Sequence, residues 1–308
     1  LKKIAGILSN DLGFILQQGF RGFLFLLCIV SFLGIAVWYR YFENPMFFFT
    51  EAHGHPLFRF SYYVVAYFGA VFFIAAFFRR HDQLVKAEFW IISFIILSAL
   101  YLNHFHPIIP LQTFSIPSWG FFDKLLYNTQ CTLLYSIAPL TCWWLYHKSK
   151  HPEWKIFGWN FSYKLLRPYF IMLLIMTPLL IWAAFRPDFQ SAYPRYVPGR
   201  MEEYYGISPV LTVGIFETSY VTQFITLEWF FRGFMVLSLS RFFGIYAVWP
   251  MVAVYVFLHF GKPMHETIGS FFGGFILGTI ALHTKSIWGG IIIHVGIALL
   301  MELLAFLI

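Results

Sequence analysis

Apolar runs recur along the chain at about 20–39, 57–78, 89–103, 127–146, 168–185, 208–238, 244–260, 266–283 and 287–308. A bilayer crossing needs roughly 20 such residues. The pattern therefore predicts eight or nine transmembrane helices, with 89–103 the shortest run. Residues 1–18 read instead as an amphipathic helix lying along the membrane surface. The expected fold class is all-α: a polytopic transmembrane helical bundle with a surface helix at its N-terminal end. The largest loop, about 186–206, contains "YPRYVPGRMEEYYG" and reads as a lid or cap. It also marks a boundary, because the runs before it carry few ionisable groups and the runs after it carry several. The expected organisation is an N-terminal set of helices, 1–200, of unassigned role, and a core at 201–308 that carries the chemistry.

Loop charge gives an orientation. "RRHDQLVK" (79–86), "HKSKHPEWK" (147–155) and the Lys2–Lys3 end are rich in Lys and Arg, whereas "HFHPIIPLQTFSIPSWGFFD" (104–123) is almost free of them. The positive-inside rule puts the N-terminus and the basic loops in the cytoplasm and the loops near 40–56 and 186–206 outside. A bacterial inner membrane is the expected location. Composition agrees: 59% of residues are hydrophobic and 11% charged, against about 25% charged in soluble domains. The net charge of +7 sits in short loops, where it suits topology and anionic lipid headgroups rather than nucleic acid. Membrane lipids are thus expected partners and nucleic acid is not. Cys28, Cys131 and Cys142 each lie in an apolar run and read as packing residues.

Against this background the ionisable residues of the C-terminal runs stand out. "FITLEWFFRGFMV" (224–236) carries Glu228 and Arg232 four residues apart, the spacing at which an acid and a base pair on a helix. A charge near the bilayer centre is costly unless paired or functional. Glu217, about three turns before Glu228, points roughly the same way. His259 precedes the Gly261-Lys262-Pro263 break, and His265 and Glu266 follow it. Taken alone, Glu266 is a first-turn carboxylate favoured by the helix dipole, and His294 is a hydrogen-bonded packing residue. Taken together, Glu228, His259 and His294 lie roughly 20, 27 and 14 Å from one face at 1.5 Å per residue. They can meet around one intramembrane cavity. Gly269, Gly273, Gly274 and Gly278 read as close helix packing.

The segments "LEWFFRG" (227–233), "YVFLH" (255–259), "TKSIWGGIIIH" (284–294) and "HVGIA" (294–298) give residues 207–307 a resemblance to the CPBP family of CAAX proteases and bacteriocin-processing proteins. These are intramembrane endopeptidases, glutamate-dependent although often labelled metalloproteases. The resemblance implies hydrolysis of a membrane-tethered peptide by glutamate-activated water, with Glu228, Arg232, His259 and His294 at the site. Glu266 is a second candidate carboxylate, and a membrane protein partner is the other ligand class. Leu227 replaces the glutamate that the family uses to activate water, Tyr255 stands for a Phe, and Ala298 stands for an Asn. Neighbouring helix positions differ by about 100°, so three resolutions are open: a local bulge turns Glu228 inward, Glu217 or Glu266 supplies the carboxylate, or the chain is a catalytically degenerate scaffold or accessory subunit of a larger membrane complex. A transporter is disfavoured by the lack of internal repeats. No cofactor is expected. Zinc is the weaker reading, because suitable ligand types are present without a local His-Glu-x-x-His spacing.

Overall fold

The computed structural model describes residues 1–19, 21, 22, 25–29, 32, 34, 56–103, 119–147, 155–162, 166–260 and 262–308, and every element among them is helical. The principal helices are α1 (Lys2–Gln17), α2 (Pro56–Phe77), α3 (Ala87–Leu102), α4 (Trp119–Cys142), α5 (Leu166–Ala184), α6 (Arg200–Tyr205), α7 (Pro209–Glu228), α8 (Val236–Phe243), α9 (Val248–Phe257), α10 (Met264–Thr284) and α11 (Trp288–Leu307). A π-helical segment, Trp229–Met235, joins α7 to α8. Among the described residues five stretches are long and apolar enough to cross a membrane: Phe60–Phe77, Leu166–Ala184, Pro209–Phe257, Met264–Thr284 and Trp288–Leu307. The chain is an integral membrane protein built as an all-α bundle.

Several sequence expectations change in detail. The 89–103 run is a helix of 16 residues, short for a full crossing. The 127–146 run belongs to a helix that already begins at Trp119, inside the expected 104–123 loop, and Asp123, Lys124, Asn128 and Gln130 keep it out of the apolar set. Most of the 20–39 run lies outside the described residues, as do the loops near 40–55, 104–118 and 148–154. Cys131 and Cys142 are buried as expected, but Cys28 is exposed.

An 18-residue window of the Pro209–Phe257 stretch has 78% of its residues buried, against 17% for one of Leu166–Ala184, so α7 to α9 form the centre of the bundle and α5 its rim. Pro209 opens α7 at a position where its missing N–H is harmless. Gly244, at φ 58° and ψ −131°, turns the chain between α8 and α9 in a region that other residues avoid. Of the four glycines expected to pack α10, only two do so. A Cβ on Gly274 would lie 3.2 Å from Val252, and one on Gly278 2.7 Å from Met251, both on α9. Gly269 and Gly273 have nothing within 4 Å of such a Cβ. On α11 the close contacts are with α5: a Cβ on Gly289 would meet the Tyr169 ring at 2.2 Å, and one on Gly296 would meet Leu173 at 2.5 Å.

A short turn, Lys155–Gly158, is wedged between the π segment and the start of α11. Ile156 and Phe157 have positive φ, at 50° and 55°. The Ile156 carbonyl accepts from Trp229 Nε1 at 2.9 Å, and the Gly158 carbonyl from the Ile287 N–H at 3.0 Å. Ser286 Oγ donates to the Asn160 carbonyl at 2.8 Å. One irregular turn thus sets the distance between α11 and the π segment.

The two ends of α10 hold different accessories. Near its C-terminal end, His283 Nε2 meets Asp11 of α1 at 2.9 Å. Near its N-terminal end, Glu266 accepts from Tyr193 at 3.0 Å. The expected cap is therefore present at 187–206, opposite α1. Its Arg195 N–H donates to both oxygens of Glu302 on α11, at 3.1 and 3.0 Å, and Lys124 of α4 donates to the Arg195 carbonyl. Within the cap, Glu202 accepts from Tyr196 Oη and, at 2.7 Å, from the Gly199 N–H. Burial opposes its charge, but hydrogen bonds from Thr212, Tyr196 and Gly199 outweigh this and hold the carboxyl down to about 2. A lowered folded-state pKa stabilises the cap above the ordinary value of 4.5, and that contribution fades as pH falls toward about 2. Pepsin cleavage within 196–206 should therefore rise across this window, and Glu202→Gln should remove the pH dependence. Unchanged cleavage from pH 4.5 to 2 would show that an ionised Glu202 does not hold the cap.

Candidate functional site

Glu228 is the last residue of α7, and the helix widens into the π segment directly after it. Such bulges are frequent at functional sites, because the inserted residue re-aims side chains that a regular helix would misdirect. The bulge proposed from sequence is thus present, and Glu228 points inward with 0% exposure. Leu227 is directed elsewhere and packs at the edge of the main apolar core.

The carboxylate has two charged or polar neighbours. Arg232 Nη1 lies 2.9 Å from Oε1, and both side chains are almost completely buried. His294 Nδ1, on α11, lies 2.7 Å from the same oxygen. The second oxygen, Oε2, is sealed without a protein hydrogen bond among the described residues. It presses on Gly290, where a Cβ would lie only 2.2 Å away. The pair expected from i,i+4 spacing is therefore real, and a third residue from a distant helix completes it. Leaving either charge alone at this depth would cost about 3–5 kcal/mol.

His259 follows the C-terminal end of α9 in the break before α10. Its Nδ1 lies 2.8 Å from the Tyr255 carbonyl. A carbonyl oxygen only accepts, so Nδ1 carries the proton and Nε2 presents its lone pair. The His259 carbonyl in turn accepts from Thr267 Oγ1 at 2.9 Å and from the Lys262 N–H at 3.2 Å, which ties the break together. The Tyr255 ring lies beside both histidines and Arg232. Its centroid lies 4.6 Å from that of His259, 6.3 Å from that of His294 and 4.0 Å from Arg232 Cζ. The last distance is a cation–π contact that helps to hold the guanidinium in the interior. The tyrosine at 255 is thus the shared wall of the site.

Two sequence candidates lie apart from this group. Glu266 is engaged by Tyr193 of the cap and by Lys262 Nζ at 3.6 Å. Glu217 is half-buried, with one oxygen lacking a partner among the described residues. Ala298, one turn beyond His294, is buried with Phe121, Tyr196, Phe216, Tyr220 and Phe224. Phe224 reaches His294 at 4.4 Å between ring centroids. A small residue at 298 lets this aromatic cluster close beneath the cap; an asparagine there would place an amide among rings. Among the described residues no three His, Cys, Asp or Glu side chains are grouped to hold a metal ion.

Residues 209–300 match the family model described as type II CAAX prenyl endopeptidase Rce1-like. The match covers the C-terminal third of the chain and includes Glu228, Arg232, His259, Glu266 and His294. No curated protein and no solved structure matches the chain. The resemblance read from the motifs is thereby confirmed.

Sequence reading missed Gly290 and the wedge at 155–160. The "WGG" before "IIIH" was a signal for the first, since adjacent glycines early in an apolar helix invite close contact. Gly290→Ala should push the Glu228 carboxylate off His294 and Arg232, which are themselves fixed. The expected result is a loss of about 1–3 kcal/mol in stability, as for other overpacked cores, measured by thermal unfolding in detergent. Wild-type stability in that variant would mean that the carboxylate is not confined against α11.

Proposed function

We propose that this chain is an intramembrane endopeptidase that hydrolyses a peptide bond in a membrane-tethered substrate, using water activated at the Glu228–His294 pair. The observation that carries the reading is the 2.7 Å contact between Glu228 on α7 and His294 on α11, with His259 against the same tyrosine. A carboxylate–imidazole pair is suited to taking a proton from water, and positioned acid–base groups contribute about 10²–10⁴-fold in rate. The family match at 209–300 supports the same reaction class. The site lies within apolar helices, which favours a substrate already anchored in the bilayer. The charge asymmetry of the loops supports an N-terminus in the cytoplasm.

A second reading, a degenerate scaffold or accessory subunit, is favoured by two observations. Leu227 stands where the family has its catalytic glutamate, and Glu228 is fully buried and bonded within the protein. The two readings separate in one experiment. Purified protein in lipid nanodiscs is offered a library of membrane-tethered peptides, and products are read by mass spectrometry. Under the endopeptidase reading, wild type cleaves, and His294→Ala, His259→Ala and Glu228→Gln each fall by about 10²-fold or more. Full retention of biological activity in all three variants leaves the scaffold reading in place.

A further inference from the structure

The geometry of the buried pair assigns the two residues different tasks: we infer that His294 Nε2 is the proton acceptor, and that Glu228 is a positioning residue that never touches the water. This inference rests on the endopeptidase reading and specifies its chemistry.

A general base must reach the proton it removes, within hydrogen-bond distance of the water that carries it. Glu228 does not meet that condition. Its side chain is 0% exposed, Oε1 is held by Arg232 and His294, and Oε2 is sealed against Gly290. His294 does meet it. Its side chain is 16% exposed. Its Nδ1 is used by Glu228, and Nε2 bonds no described residue. Nor is Nε2 among the sealed, unpartnered atoms, whereas Glu228 Oε2 is. The accessible basic atom of the pair therefore belongs to the imidazole.

The tautomer follows from the partner. Glu228 lies beside the Arg232 guanidinium, which favours the ionised carboxylate, and an ionised carboxylate only accepts. Nδ1 must then donate, which leaves the lone pair on Nε2. The carboxylate thus fixes both the orientation and the tautomer of the ring. Phe224 supports one face of it at 4.4 Å. The missing glutamate at 227 is explained on the same terms: the base is supplied by α11, so α7 needs only a carboxylate that orients it.

The step balances without a further reagent. Water's oxygen bonds to the peptide carbonyl carbon while one of its protons passes to His294 Nε2. The carbonyl π electrons move to oxygen. When that oxyanion collapses, the carbon–nitrogen bond breaks and Nε2 returns the proton to the departing nitrogen. The products are one carboxylic acid and one amine, and the ring ends in its starting tautomer.

Asparagine at 294 separates the two assignments. Its amide can donate to Glu228 from the position of Nδ1, but it has nothing at the position of Nε2. With His294 as base, His294→Asn lowers kcat by about 10³-fold with KM nearly unchanged, whereas Glu228→Gln keeps a residual rate above it. A His294→Asn variant within tenfold of the wild-type kcat overturns the assignment and returns the base to Glu228. Thermal unfolding confirms that each variant is folded. A second measurement is independent of activity: nitrogen-15 NMR of histidine-labelled protein should show a protonated Nδ1 and an unprotonated Nε2 at His294, with the preference lost in Glu228→Gln. The opposite tautomer in the wild type overturns the inference even if no peptide is cleaved. Failure of all cleavage with the expected tautomer overturns only the endopeptidase reading.

Discussion

A carboxylate and a guanidinium shut inside an apolar bundle must satisfy one another, and the centre of this protein is arranged around that demand. Oε1 of Glu228 forms an ion pair with Arg232 and a hydrogen bond with His294. Arg232 receives the face of Tyr255 in addition. Water is a poor alternative partner at this depth, so every neighbouring helix must stay where it is for the charges to remain paired. The site is consequently a structural knot.

The surrounding backbone shows how that knot is kept in register. The π segment begins at the residue after the carboxylate and gives Gly233 to a close approach: a Cβ there would lie 2.4 Å from the Phe157 carbonyl. The turn that supplies this carbonyl also bonds α11 through Ile287. From the other side, α5 fills the glycine notches of α11 with Tyr169 and Leu173. The cap grips the same helix at Glu302, two turns beyond His294 on the same face. The helix carrying the imidazole is thus braced at its start, along its length and near its end.

Much of this was legible in the sequence, and for identifiable reasons. The apolar runs gave the helices, because length and hydropathy are set by the bilayer and not by packing detail. The i,i+4 spacing gave the Glu228–Arg232 pair, and the Gly-Lys-Pro break placed His259 at a helix end. Partnerships between distant segments were not legible. Nothing in "WGGIIIH" says that one glycine accommodates a carboxylate and its neighbour a tyrosine ring. Nothing in "WKIFGWN" announces residues of positive φ between two membrane helices. Gly269 and Gly273 erred the other way: the small-residue pattern was correct for α10 as a whole, but only the glycines on the α9 side are used. Ala298 looked like a lost polar group until the aromatic cluster beneath the cap gave it a steric reason.

The wedge at 155–160 has a consequence for how the matched segment relates to the rest of the chain. The segment that resembles a known family, 209–300, contains every side chain of the site but not the turn that spaces α11 from the π segment, nor the helix that fills the α11 notches. Those supports come from residues before 200, and Glu302 lies just past the matched end. Recognisable resemblance and mechanical self-sufficiency therefore have different borders in this molecule. A fragment trimmed to the familiar motif would hold all the chemical groups and lose the frame that makes them neighbours.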